Sequence, residues 1–339
     1  MWHLHLTKII IFLITLNLFS YARAETTLPS SIGPTSQEEG NLLWKEGKKS
    51  FEEKKYSETV RNLQRLTQRY PASPNYLEAH LLLGKSFLEL NEPTHALQPI
   101  KYFVENSGKN ETGMKARLTL TQAYMNARKF HEAYLVTEEV IANSLEKMSP
   151  EIRLEALLLK AQALNELKRS ERASQTLSFA KTELIKLANS NESLKGQASW
   201  LELKFKTQVC HEPPLKKKLE ERETRALLEA HGNCLLEALV IYMGVLQSKA
   251  EKWSTLAQTE LISSFHHYAE ECKNPLTPPG KRSKKQLVQY KTELVEILEK
   301  DCELKKQKAL EILSSLKKQI PTSLQTELDG VINALGKAL

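Results

Sequence analysis

The sequence predicts an all-α protein, a solenoid of helix pairs followed by a second α-helical region, and three observations carry that prediction. Of its 339 residues 41 are acidic, and only Asp301 and Asp329 are aspartates, which leaves 39 glutamates. Glycine and proline are scarce, at 12 and 13 residues. Straight-chain helix formers therefore dominate, while turn residues and β-branched or aromatic runs are thin. Third, a small side chain returns at Thr59, Ala96, Ala133 and Ala173, in steps of 37, 37 and 40 residues. Periods between about 20 and 50 residues belong to repeat architectures. The same composition excludes the Gly-rich, β/α-alternating chains that hold most nucleotide-binding and hydrolytic sites.

The chain opens on an address. Ile9 to Phe19 form an apolar stretch of 11 residues interrupted only by Thr15 and Asn17, whereas a bilayer span needs about 20. Ala22 and Ala24 stand at the −3 and −1 positions of a signal-peptidase site. Residues 1–24 thus read as a signal peptide cut before Glu25. The expected mature chain is exported, periplasmic or secreted, with no stable membrane insertion and, lacking a cysteine at the cut, no lipid anchor. Residues 25–38, rich in Pro, Ser and Thr, read as a flexible linker.

Net charge is +7, and falls to +5 when Lys8 and Arg23 leave with the leader. The densest basic runs, Lys216–Lys218 and Lys281–Lys285, sit at helix starts or loops and lack interleaved aromatics. A nucleic-acid partner is therefore not expected.

Residues 39–189 hold about four repeats, near 40–74, 77–109, 114–148 and 154–188. Gly47, Tyr56 and Pro71 anchor the first; Gly84, Phe87 and Ala96 recur in the second, Tyr124, Phe130 and Ala133 in the third, Leu164 and Ala173 in the fourth. In the first helix of a pair Gly84 sits where a neighbouring helix must approach closely, and Leu83 and Phe87 are spaced to bury one face. In the second unit Ala96 lets backbones approach while Ile100 and Phe103 fill the space between units. Pro71 and Pro150 fall where a second helix must stop.

The spacing of Gly, aromatic, Ala and Pro resembles the tetratricopeptide repeat (TPR). HEAT-type pairing, whose periods start near ~40, is the other solenoid this spacing admits. Arg69–Tyr70–Pro71–Ala72–Ser73–Pro74 is similar to segments of exported bacterial TPR proteins of periplasmic and outer-membrane assembly, from which this chain departs in lacking a lipidation cysteine. Leu43, His80, Arg117 and Leu157 stand where the family carries a first-helix Trp. The resemblance implies a concave groove that holds an extended peptide or a helix. Position by position it would be lined by Asn41, Trp44, Lys48 and Phe51, then Glu78, Lys85 and Leu88, then Gln122, Met125, Asn126, Gln162 and Asn165. Trp44 and Phe51 fit burial beneath neighbouring chain equally well.

Residues 190–339 continue as helices, around 195–209, 215–230, 234–251, 254–272, 284–319 and 322–338. The breaks are read at Pro213–Pro214, His231–Gly232–Asn233 and 274–280. Cys210, Cys234, Cys272 and Cys302 all lie here, and an even count in an exported chain favours two disulfides. Helices running up and down in succession would pair Cys210 with Cys302 and Cys234 with Cys272; the other two connectivities stay open.

No phosphate-binding Gly loop and no G-x-S-x-G elbow occurs. The pairs His131–Glu132 and His211–Glu212 lack the second histidine of H-E-x-x-H. There is no C-x-x-C, and His266 and His267 point to different helix faces. No catalytic residue, metal or cofactor is assigned. The expected function is a non-enzymatic scaffold or adaptor for a protein partner in envelope assembly or maintenance. The alternative is an envelope enzyme, or an obligate subunit of one, with the C-terminal helices as its functional domain.

Overall fold

The structure is a computed structural model that describes residues 34–143, 149–187, 191–212, 221–273, 283–318 and 322–338. The expected signal peptide and most of the expected linker lie outside them. The described residues form thirteen helices and no strand, in two compact units that divide after Asn91. The first unit holds α1 (Pro34–Glu52), α2 (Tyr56–Arg69) and α3 (Tyr76–Glu89). The second holds α4 (Pro93–Asn106), α5 (Glu111–Asn126), α6 (Phe130–Asn143), α7 (Pro150–Glu166), α8 (Ser170–Lys186), α9 (Glu192–Cys210), α10 (Glu221–Gln247), α11 (Glu251–Lys273), α12 (Lys284–Lys317) and α13 (Thr322–Ala338). Residues 34–38, expected as linker, are the first turn of α1.

In the first unit α2 packs on both α1 and α3, and the pairing rests on a close backbone approach. A Cβ built on Gly47 would lie 2.7 Å from Leu63 Cδ2, so a larger residue there would force the buried Leu63 side chain to shift. Leu43, Leu63, Leu66, Ala79, Leu83 and Phe87 fill the interior.

The same backbone conformation recurs once in each repeat. Lys54, Asn91, Arg128 and Lys168 take left-handed backbone angles, with φ of 59°, 59°, 58° and 60°. They stand 37, 37 and 40 residues apart, the same steps as the small positions. In three of the four turns two amides close the helix end as a Schellman cap. Lys54 N–H donates to the Phe51 carbonyl and Lys55 N–H to Ser50 (3.0 and 2.8 Å), and Arg128–Lys129 and Lys168–Arg169 repeat the pattern. Five residues beyond each left-handed residue, Thr59, Ala96, Ala133 and Ala173 are fully buried.

A fifth left-handed residue lies beyond the point where the sequence repeat fades. Lys249, with φ of 53°, joins α10 to α11, and five residues on stands Ser254, at 3 % exposure. The α10–α11 hairpin is thus built like the repeats. Helix α9 packs on α7 and α8. It is tied to α7 by Lys204–Glu166 (2.6 Å) and by Asn165 Nδ2 donating to Gln208 Oε1 (2.8 Å). One core cluster then runs from Leu154 and Leu158 on α7 through Leu201, Leu239, Tyr242, Phe265 and Leu313 to Leu335 on α13.

Two expectations are corrected. His231–Gly232–Asn233 is no break but the interior of α10, a 27-residue helix. Gly232 is there for packing: a Cβ would meet the Tyr268 hydroxyl at 2.7 Å and Lys305 Cγ at 3.1 Å. Helix α10 is long and apolar enough to cross a membrane by length and composition, but Leu235, Leu239, Tyr242, Val245 and Leu246 are spent in the core. Fusing two expected helices removes one pass of the bundle, and with it the expected disulfide pairing. Cys234 lies about 20 Å along α10, beside the end of α9, and bonds Cys210 with Cα atoms 5.3 Å apart. Cys272, near the end of α11, bonds Cys302 on α12 at 6.5 Å. Pro150 also departs from expectation, since it opens α7 at its first turn, where its missing N–H costs nothing.

Two measurements check this packing. Gly232→Ala is expected to lower stability to urea by about 1–3 kcal/mol through overpacking. Peptide mapping without reduction is expected to recover linked peptides spanning 210/234 and 272/302. Cys210→Ser with Cys234→Ser should cost roughly 3 kcal/mol for a loop of this length.

Candidate functional site

The groove residues fall into the two units and are described there. In the first unit Trp44, Phe51, Lys85 and Leu88 are half-buried, while Lys48 and Glu78 are exposed. Phe51 meets the Tyr56 ring edge-on at 5.5 Å, across the turn into α2. Asn41 accepts from Asn75 Nδ2 at 3.4 Å, which ties the start of α1 to the start of α3. Trp44 and Lys48, one turn apart, and Lys85 on α3 keep reachable side-chain surface.

In the second unit Gln122 and Gln162 are half-buried and Asn126 is exposed. Two expectations are corrected there. Met125 is 7 % exposed and packs with Ala133 and Ala163, so it serves the α5–α7 core. Asn165, at 6 % exposure, uses its amide on Gln208 of α9. Both side chains point into helix seams because the next helix covers the face that a free-standing pair would open. Arg117, at the family's Trp position, is buried and bonded to Glu139 (2.9 Å) and to the Gly113 carbonyl (3.1 Å).

The chemistry that sequence reasoning missed lies between the two disulfides. His211, just past Cys210, caps the end of α9; His231 lies in α10; His267 and Glu271 sit one turn apart on α11. Glu271 gathers the three imidazoles. Nδ1 of His231 is 3.1 Å from Oε2 and Nδ1 of His211 is 3.6 Å from the same oxygen, while Nε2 of His267 is 3.7 Å from Oε1. Only the first is within hydrogen-bond reach. The His211 and His267 rings stand edge-on with centroids 4.5 Å apart.

Burial alone would push the Glu271 carboxyl up. The imidazoles of His211 and His231 outweigh it and hold the group down at about 2. Glu271 is therefore a carboxylate across the ordinary pH range.

Several nitrogens of this cluster are sealed from water without a hydrogen bond: both of His211, and Nε2 of His231. An unsatisfied buried polar group costs about 1–3 kcal/mol. Among the described residues, His211, His267 and Glu271 form the group whose ligand atoms lie mutually close enough, within 4.8 Å, to hold a metal ion. Sequence offered two faint signals: the i,i+4 spacing of His267 and Glu271, and the adjacency of His211 and Glu271 to cysteines. Neither says that the helix ends meet.

A cleft of about 690 Å³ opens nearby between α10 and α12, lined by Arg222, Arg225, Tyr268, Asp301 and Lys305 among others. Facing charges pair within it. Arg225 binds Asp301 at 2.9 Å, and Lys305 donates to Asn233 Oδ1 at 2.5 Å. Burial, reinforced by Glu271, raises the Tyr268 phenol well above its usual value, so it stays a neutral hydroxyl. Such pairing braces α10 against α12.

A comparison with curated proteins finds no match. Residues 36–148, about a third of the chain, match the family YfiO, described as an outer membrane lipoprotein, and this stretch is a TPR-type helix-pair array similar to that exported family.

Proposed function

We propose that the protein is a non-enzymatic adaptor of the cell envelope, which docks a peptide or helix of a protein partner on the first helices of its repeats and serves outer-membrane assembly or maintenance. The match of residues 36–148 to an outer membrane lipoprotein family carries the reading. In the first unit the docking face is Trp44 and Lys48 on α1 with Glu78, Lys85 and Leu88 on α3. Trp44 is an aromatic anchor with part of its ring reachable, and the flanking Lys and Glu supply charge that steers a partner. In the second unit the exposed or half-buried Gln122, Asn126 and Gln162 are the candidates, without Met125 and Asn165, which the core has claimed.

The exported location follows from the leader-like N-terminus and the family match together. The C-terminal helices, sharing one core with α7 and α8, cover the apolar end that a repeat array would otherwise expose.

Crosslinking in the native envelope, followed by identification of what is captured, tests the reading. Trp44→Ala with Lys85→Glu is expected to cut partner recovery at least tenfold while leaving the thermal melt within ~1 kcal/mol of the parent, because both side chains are only half-buried. Recovery equal to the parent's would overturn the docking face.

A further inference from the structure

We propose that His211, His267 and Glu271 bind a zinc ion, with His231 as the positioning residue for the carboxylate, so that the C-terminal helices are clamped by a metal as well as by their two disulfides. This goes beyond the docking reading and does not depend on it.

The donor set is two imidazole nitrogens and one carboxylate oxygen, the His₂Glu combination that zinc accepts in three-ligand sites. His267 and Glu271, at i and i+4, face the same way from α11, and His211 reaches them from the end of α9. Around a tetrahedral ion with bonds of about 2.0–2.1 Å, donors stand roughly 3.3 Å apart. The 3.7 Å between His267 Nε2 and Glu271 Oε1 is within a side-chain adjustment of that spacing, and the three ligand atoms all lie within 4.8 Å of one another.

Oxygen occupancy points the same way. His231, 2 % exposed, holds Oε2 with Nδ1 and leaves Oε1 toward His267. A ligating carboxylate is ordinarily fixed by such an outer hydrogen bond. Of the two buried nitrogens of His211, neither of which finds a hydrogen-bond partner, one gains a partner as a ligand of the ion.

Preorganisation comes from the covalent frame. Cys210 precedes His211 and Cys272 follows Glu271, and both are locked in disulfides. No free cysteine is present to compete for the ion. His267 is 59 % exposed, so the fourth coordination position opens to solvent, where water completes the shell.

Titration calorimetry of the full, disulfide-bonded chain with zinc chloride tests the site. The expected result is one zinc per chain and a melting midpoint that climbs with free zinc. His267→Ala, at an exposed position, is expected to weaken binding about 100-fold with the metal-free melt unchanged, whereas His266→Ala binds as the parent does. Cobalt(II) is expected to give the visible absorption of a four-coordinate ion, lost in His211→Gln. Absence of zinc uptake, or uptake equal in His267→Ala and the parent, would overturn the site.

Discussion

The distance at which two helix backbones can lie together is the constraint on which the rest of this protein depends. A left-handed residue follows the first helix of each repeat, and five residues later a small side chain is fully buried. Thr59, Ala96, Ala133 and Ala173 each have no exposed surface. A larger side chain at such a position would have to displace a neighbouring backbone, which a close-packed interior does not absorb. Gly47 and Gly232 serve the same end on facing helices, with Cβ positions already occupied by Leu63 and Tyr268. The turn and the small residue work as one device: the cap fixes the angle at which the chain reverses, and the small residue fixes how close the returning helix comes.

The C-terminal helices extend that device and then harden it. The α10–α11 hairpin uses the turn once more at Lys249 and Ser254, although α10 is nearly twice the length of α2 or α3. A helix so long passes the ends of α9 and α11 and the middle of α12, and there both disulfides and the histidine–glutamate cluster gather. Charge is handled in the same spirit. The excess of lysine is spread over helix surfaces and tied across seams by pairs such as Lys204–Glu166 and Lys181–Glu202, both at 2.6 Å.

Legibility from sequence followed range. The repeat phase was legible because it is a local property, and the left-handed residues reproduce its steps of 37, 37 and 40. Burial of Ile100, Phe103, Leu83 and Phe87 followed from 3.6-residue periodicity in the same way. The break assigned to His231–Gly232–Asn233 failed for the converse reason. Glycine is a helix breaker only on local grounds, and here the long-range demands of Tyr268 and Lys305 outweigh its propensity cost of about 1 kcal/mol. That one misreading propagated to the disulfides, since pairing by level depends on how many times the chain crosses the bundle. Met125 and Asn165 failed alike: a position on a helix face is readable, but whether another helix covers that face is not.

By itself the sequence determined the helical class, the period and the confinement of cysteines to one region, because composition and spacing act within a turn or two of the chain. Only the tertiary structure decided which cysteines bond and which of the expected groove side chains are buried. It also decided that His211, His231, His267 and Glu271 meet. Those residues are up to 60 positions apart, and their meeting is set by where α9 stops and α10 does not, which depends on the packing of Gly232 rather than on any motif.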